Sequence, residues 1–223
     1  MPNWCENNLR IYSHCDNKAS EEQFQALMKE IGMTEDEEIN FSFNHFSPQP
    51  PELDVVEGGC NDKALALVQA VDGKDNSGLE KYLPYKVEDS EIDNVEDLII
   101  HLSQEKVSSF QNDKFKDMSM LDYGRILFNN LKVHGYISWY RWRIDNWGTK
   151  WDVGEVYVND HCESGYLELQ FDTAWSPPTG VLKAMGLKYP ELTFTLKYEE
   201  TGCSFMGVAK AKGDDFSDQC IDY

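Results

Sequence analysis

"GYLELQFDTAWSPPTGVLKAMGLKYPELTFTLKY", residues 165–198, carries a strand pattern, a helix pattern and a second strand pattern in succession. In 165–175, Leu167, Leu169 and Phe171 share one face, and Glu168, Gln170 and Asp172 share the other. That period of two is the mark of a half-buried strand. Across 176–190, Val181, Leu182, Met185 and Tyr189 form an apolar helical stripe. Ser176 is placed to cap that helix, Pro177 suits its first position, and Pro190 ends it. Alternation then resumes, with Leu192, Phe194, Leu196 and Tyr198 inward. The stretch therefore predicts one β-α-β unit.

Working outward, residues 3–47 predict the same order. "NNLRIYS" alternates, with Leu9 and Ile11 on one face. "SEEQFQALMKEIG" carries the stripe Phe24, Leu27, Met28 and Ile31, with Ser20 and Gln23 spaced as a capping box and Gly32 at the end. "EINFSFNHF" alternates with Ile39, Phe41 and Phe43 inward, which predicts a strand. "GEVYVND", before the turn-like "HCESG", predicts another strand, and "CSFMGVAKAKG" a last one. The tail "DDFSDQCIDY" reads as acidic and frayed. Two β-α-β halves, with their helices on one face of an antiparallel sheet, make an α+β fold of the ferredoxin-like arrangement.

The middle has a different texture. "SPQPPELD" cannot sit inside a sheet. Helical stripes follow: Ala64, Leu67, Val68 and Val71; then Val95, Leu98, Ile99 and Leu102; then Met120, Gly124, Leu127 and Leu131. Polar stretches such as "DGKDNSG" and "KVEDSEIDN" separate them and read as flexible loops. The expected organisation is a discontinuous ferredoxin-like domain, 1–53 with 136–223, interrupted by a mostly helical insertion at 54–135.

Composition narrows the function classes. The 41% apolar and 13% aromatic content excludes a disordered chain. No apolar run is long enough to span a membrane, and the start lacks a signal-peptide pattern, so a cytoplasmic location is expected. Six cysteines without a C-x-x-C spacing are expected as free thiols. The formal net charge is −20. Residues 1–135 hold 26 acids and 12 bases, and residues 136–223 hold 14 and 8. Such a field repels phosphate backbones, so no direct nucleic-acid binding is expected and a partner with a basic surface is favoured.

"WYRWRIDNWGTKWD", 139–152, holds four of the six tryptophans. Trp139, Trp142, Arg143 and Trp147 stand at helical spacings, Gly148 is a plausible helix end, and "TKWDVGEVYV" leaves as a strand. Two readings compete. In one, the indoles and arginine pack as a structural corner. In the other they wall a pocket for a flat ring bearing an anionic group. The candidate ligand-binding residues for the second are Trp4, Trp142, Arg143, Asp145, Asn146, Trp147, Lys150, Trp151, Asp172 and Trp175. No catalytic residues are assigned, since no nucleotide-loop, zinc-protease or serine-hydrolase motif is present. Asp145 and Asp152 are a weak acid–base pair in so acidic a chain. No cofactor is expected. No metal site is expected either: His14–Cys15 and His161–Cys162 are adjacent pairs pointing opposite ways in a strand, and "TEDEE" at 34–38 reads as a solvated charge run.

"MPNWCENNL" at the start, "YRWRIDNWGTKWD" at 140–152 and "FDTAWSPP" at 171–178 resemble the YubB-like proteins of phages and conjugative plasmids. Members often carry an acidic residue where Arg141 stands here, and often a shorter middle. The resemblance implies a ferredoxin-like domain and a mobile-element origin, but no reaction. The expected function is a non-enzymatic accessory protein that binds a basic host protein through an acidic surface and counteracts host defence. The alternative is a protein that binds a nucleotide or sugar at the tryptophan-rich corner, as a receptor or an enzyme.

Overall fold

The computed structural model describes residues 3–14, 16–33, 39–88, 90–108, 113–162 and 165–223. Its strands are β1 (Trp4–Tyr12), β2 (Tyr85–Val87), β3 (Ser90–Ile92), β4 (Val156–Cys162), β5 (Tyr166–Ala174), β6 (Thr193–Glu200), β7 (Phe205–Lys212) and β8 (Asp215–Asp222). Its helices are α1 (Lys18–Glu30), α2 (Asn61–Val71), α3 (Ser77–Glu80), α4 (Val95–Gln104), α5 (Met120–His134), α6 (Trp139–Trp147) and α7 (Thr179–Lys188). Two compact units result, Met1–Gln49 with Arg141–Tyr223, and Pro50–Tyr140.

The first unit is built on one antiparallel sheet in the order β4-β5-β1-β6-β7-β8. β1 lies between β5 and β6, with Leu9 opposite both Leu169 and Leu196. α7 joins the two strands that flank β1. α1 opens the long connection from β1 to β4, the neighbour of β5 on its far side. This interleaving of two β-α-β units is the ferredoxin-like arrangement. β7 and β8 extend the sheet beyond it.

Period-two burial runs through every central strand. Cys5, Asn7, Leu9 and Ile11 of β1 face inward, as do Leu167, Leu169 and Phe171 of β5 and Phe194, Leu196 and Tyr198 of β6. Phe24, Leu27 and Met28 of α1 and Val181, Leu182 and Met185 of α7 are buried with them. The apolar area removed from water on this one face is the main stabilising term, roughly 1.5–3 kcal/mol for each large side chain. The alternate residues of the strands form an open second face.

Several local expectations are corrected. The strand expected at "EINFSFNHF" is absent among its described residues. Phe43–His45 is a 3₁₀ turn capped by Ser42, although Phe41 and Phe43 are buried. The Phe43 amide is bound by the Asp152 carboxylate at 2.8 Å and so joins no ladder. The returning strand of the first half is β4 instead. The cap of α1 is Asn17, whose Oδ1 accepts from the amides of Ala19 and Ser20. Ser20 is buried inside the helix, where its hydroxyl donates to the Glu191 carbonyl and accepts from the His14 amide. Gln23 accepts from the Glu191 amide. α7 starts at Thr179, because the Ser176 hydroxyl is committed to the Gly148 carbonyl at 2.6 Å. The tail is strand β8, paired with β7 from Lys212–Asp215 to Phe205–Asp222. A two-residue loop led by Gly213, at φ +58, folds it back and lets the acidic residues satisfy their backbone.

The second unit buries Leu67, Leu79, Leu98, Leu102, Met120, Tyr123 and Leu127 in one core. α2 packs closely on α5, and Tyr123 donates to the buried Asn61 amide oxygen at 2.7 Å. Leu131, expected in the third apolar stripe, is 44% exposed. Within "KVEDSEIDN", read above as loop, β2 and β3 pair as a short hairpin.

Candidate functional site

α6 and the turn after it set out the tryptophan-rich segment. Trp147 is fully buried and donates its indole N–H to the Ser47 carbonyl at 2.7 Å. Trp142 meets it edge-on, with ring centroids 5.8 Å apart. Arg143 stacks on Trp147 and donates to the Gln49 side chain. Gly148 holds φ +87, and a side chain there would meet the Pro177 carbonyl at 2.8 Å. Gly180 is as restricted, because a Cβ would come within 2.3 Å of the Asn146 carbonyl. Thr149 donates to the Ala174 carbonyl. Asp152 accepts from the Ser42 hydroxyl, the amides of Phe43 and Val153, and the Asn44 side chain. The segment thus clamps residues 42–49 to the turn before α7, through its buried indoles, Gly148 and the Asp152 carboxylate.

That geometry separates the sequence-derived candidates. Trp142 and Trp147 are core residues, and Arg143 is held between Trp147 and Gln49. Asn146 returns its side-chain amide to the Trp142 carbonyl at 2.9 Å. Asp145 is exposed and lines neither the Trp4–Trp151 cleft nor the groove beside it. Trp175 is 47% exposed at φ +72, with its backbone N–H on the Asn3 carbonyl, and does not line the cleft that holds Trp4 and Trp151. Trp4, Trp151 and Asp172 do come together. They line a cleft of about 360 Å³ with Asp152, Gly154, Glu155, Tyr157, Gln170 and Phe171. The Trp4 and Trp151 rings are 6.2 Å apart and tilted by 47°. Lys150 places its ammonium 4.8 Å from the Trp151 ring centroid, so this indole already accommodates a cation.

The cleft opens onto the uncovered face of the sheet. Gln170 is shared with a neighbouring groove of about 620 Å³, whose walls include Glu6, Asn8, Lys197, Glu199, Met206, Val208, Gln219 and Ile221. At the opposite end of this face Glu168 sits in a dense polar cluster. Tyr166 and Asn8 donate to it, Arg10 pairs with it at 3.0 Å, and together they hold its carboxyl down to about 2. The groove residues were missed because alternation shows that they face outward but not which ones stand side by side.

Among the described residues, no cluster of three or more histidine, cysteine, aspartate or glutamate side chains has metal-binding geometry. The "TEDEE" run lies outside the described residues. Cys5, Cys60, Cys203 and Cys220 are free thiols. Burial pushes the Cys5 thiol up to about 12, which keeps it protonated and unreactive. No described helix is long and apolar enough to cross a membrane.

An antiparallel sheet with interleaved β-α-β units and one open, groove-bearing face defines an α+β domain of ferredoxin-like type. Residues 146–222 match the family model described as the ferredoxin-like domain in Api92-like protein. Among solved structures, the chain is similar to the crystal structure of a protein api92 from Yersinia pseudotuberculosis, at 12% identity and a TM-score of 0.41. That alignment covers 100% of this chain and 98% of the other. No curated protein matches.

Proposed function

We propose that this chain is a non-enzymatic binding protein whose target is a host protein with a basic surface. It acts as an accessory of a phage or plasmid, engaging its target to counteract host defence. The observation that carries the binding role is the cleft formed by Trp4, Trp151 and Tyr157 with the carboxylates of Glu155 and Asp172. Aromatic faces and carboxylates together suit a cationic side chain. The net charge of −20 steers such a partner at long range and repels phosphate backbones. The mobile-element origin and the defence role rest on the sequence resemblance alone.

The binding reading is tested by titrating the purified chain with a defined lysine-rich protein and with an acidic one, at low and at high salt. Saturable binding to the basic protein alone, lost at high salt, is the expected result. Absence of binding at low salt, or binding that ignores salt, overturns it.

A second reading is favoured by the tilted Trp4–Trp151 pair beside Asp172: a small neutral ring such as a sugar could stack there, with carboxylates accepting its hydroxyls. An anionic nucleotide fits less well among Asp152, Glu155 and Asp172. Native mass spectrometry of the purified chain separates this reading from the first. A carried small molecule that is lost in Trp4→Ala/Trp151→Ala supports it, and an unliganded mass counts against it.

A further inference from the structure

Strand register places side chains of the open face in rows. One row runs Asp172, Glu6, Glu199, because Glu6 is opposite Asp172 in β5 and opposite Glu199 in β6. Like charges directly opposite on neighbouring strands destabilise a sheet, since their Cβ atoms stand only about 5 Å apart. Among the described residues none of these three carboxylates forms an ion pair. Two rows along, the same sheet does neutralise an acid, pairing Glu168 with Arg10. The row ends at Met206 and Ile221, which stand opposite each other, with Met206 opposite Glu199. On its other side lies the Trp4–Trp151–Tyr157 cleft.

We propose that this uncovered sheet face docks an extended, lysine- or arginine-bearing segment of a partner polypeptide, lying across the strands. This rests on the binding role proposed above and names its surface. Charge complementarity selects the occupant, because a second copy of the chain would bring another acidic row and a nucleic acid another array of anions. Six strands spaced about 4.8 Å apart span roughly 24 Å, the length of about seven extended residues. Basic side chains of the segment meet the Asp172–Glu6–Glu199 row, one enters the aromatic cleft, and apolar ones rest on Met206, Val208 and Ile221. Gln170, Asn8 and Gln219 offer amide groups in the next row, and Lys197 stands between Asn8 and Val208 there, which confines the segment's basic side chains to the acidic row.

The test uses the full chain and a fluorescein-labelled peptide of about eight residues alternating lysine and threonine, followed by anisotropy at low salt. Glu6→Gln/Asp172→Asn/Glu199→Gln is compared with Glu80→Gln/Glu91→Gln/Glu96→Gln, which removes the same charge from exposed positions of the helical unit. The sheet triple variant should weaken binding by at least about tenfold and the control by less than about twofold. It should also melt no lower than the parent, since it relieves repulsion. Equal losses in both variants, no loss in either, or a lower-melting sheet variant would overturn this docking surface while leaving the broader reading intact. Failure of the parent chain to bind either the peptide or the lysine-rich protein would remove both.

Discussion

Arg143 lies over the indole of Trp147, with its guanidinium carbon 4.7 Å from the ring centroid, and donates from Nε to the Gln49 side chain at 2.6 Å. The pair closes the wall of the core where α6 ends. Both groups are spent on that packing, so the two residues hold the fold rather than present a surface. Trp147→Ala should therefore cost roughly 3–5 kcal/mol of stability in urea unfolding, through the cavity it leaves. Arg143→Ala should cost about 1 kcal/mol. A Trp147→Ala chain of parental stability would refute the structural assignment.

Asp152 binds residues 42–44 with both carboxylate oxygens. Asp152→Ala leaves the Ser42 hydroxyl and the Phe43 amide without this acceptor. The expected loss is about 1–3 kcal/mol, read from thermal melts. Proteolysis should then cut first near 42–49, since the clamp on that segment is gone.

Glu168 gives the sheet an acid-sensitive contact. Its carboxyl is held at about 2, below the ordinary 4.5, first by the Tyr166 hydroxyl, then by Asn8 and Arg10. A depressed folded value means that the ionised form stabilises the fold. That contribution is complete above about pH 4.5 and fades as pH falls toward about 2. Glu168→Gln should flatten stability against pH across that window and leave the slope near neutrality unchanged. Tyr166→Phe should raise the titration midpoint of the Glu168 carboxyl in an NMR titration. A midpoint unmoved by that change would show that the hydroxyl contributes nothing.

Gly124 marks where α2 and α5 meet in the helical unit. A Cβ there would lie 2.3 Å from the Ala64 carbonyl and 2.7 Å from a Val68 methyl. Alanine raises helix propensity by up to about 1 kcal/mol, yet the clash is with backbone and cannot relax cheaply. Gly124→Ala should therefore destabilise by about 1–3 kcal/mol in chemical denaturation. A more stable Gly124→Ala chain would mean that these helices pack less closely.

Local pattern carried much of the architecture. The inward faces of β1, β5 and β6, and the stripes of α1 and α7, follow from period-two and period-3.6 burial that any stretch of chain displays alone. Three of the failures share one cause, competition from distant groups. Ser176 looks like a helix cap until Gly148 claims its hydroxyl. "EINFSFNHF" alternates like a strand, but Asp152 takes the Phe43 amide. The acidic tail looks frayed until β7 supplies its ladder. The tryptophan segment announced its importance through composition, but burial decided the division of labour. It sent Trp142 and Trp147 inward and left Trp151 at a cleft beside Trp4 of β1.

The sequence by itself determined which faces of β1, β5, β6, α1 and α7 meet the core, that β5, α7 and β6 form one β-α-β unit, and that the chain as a whole carries a strong negative field. Periodicity and charge are properties of neighbouring residues and survive without a partner strand. Only the tertiary structure decided that β4 completes the first unit and that β1 sits between β5 and β6. The same register aligned Asp172, Glu6 and Glu199 in one row, with no basic side chain paired to it among the described residues. Register is a long-range relationship, fixed by hydrogen-bond ladders between residues up to about two hundred positions apart, and no local pattern encodes it.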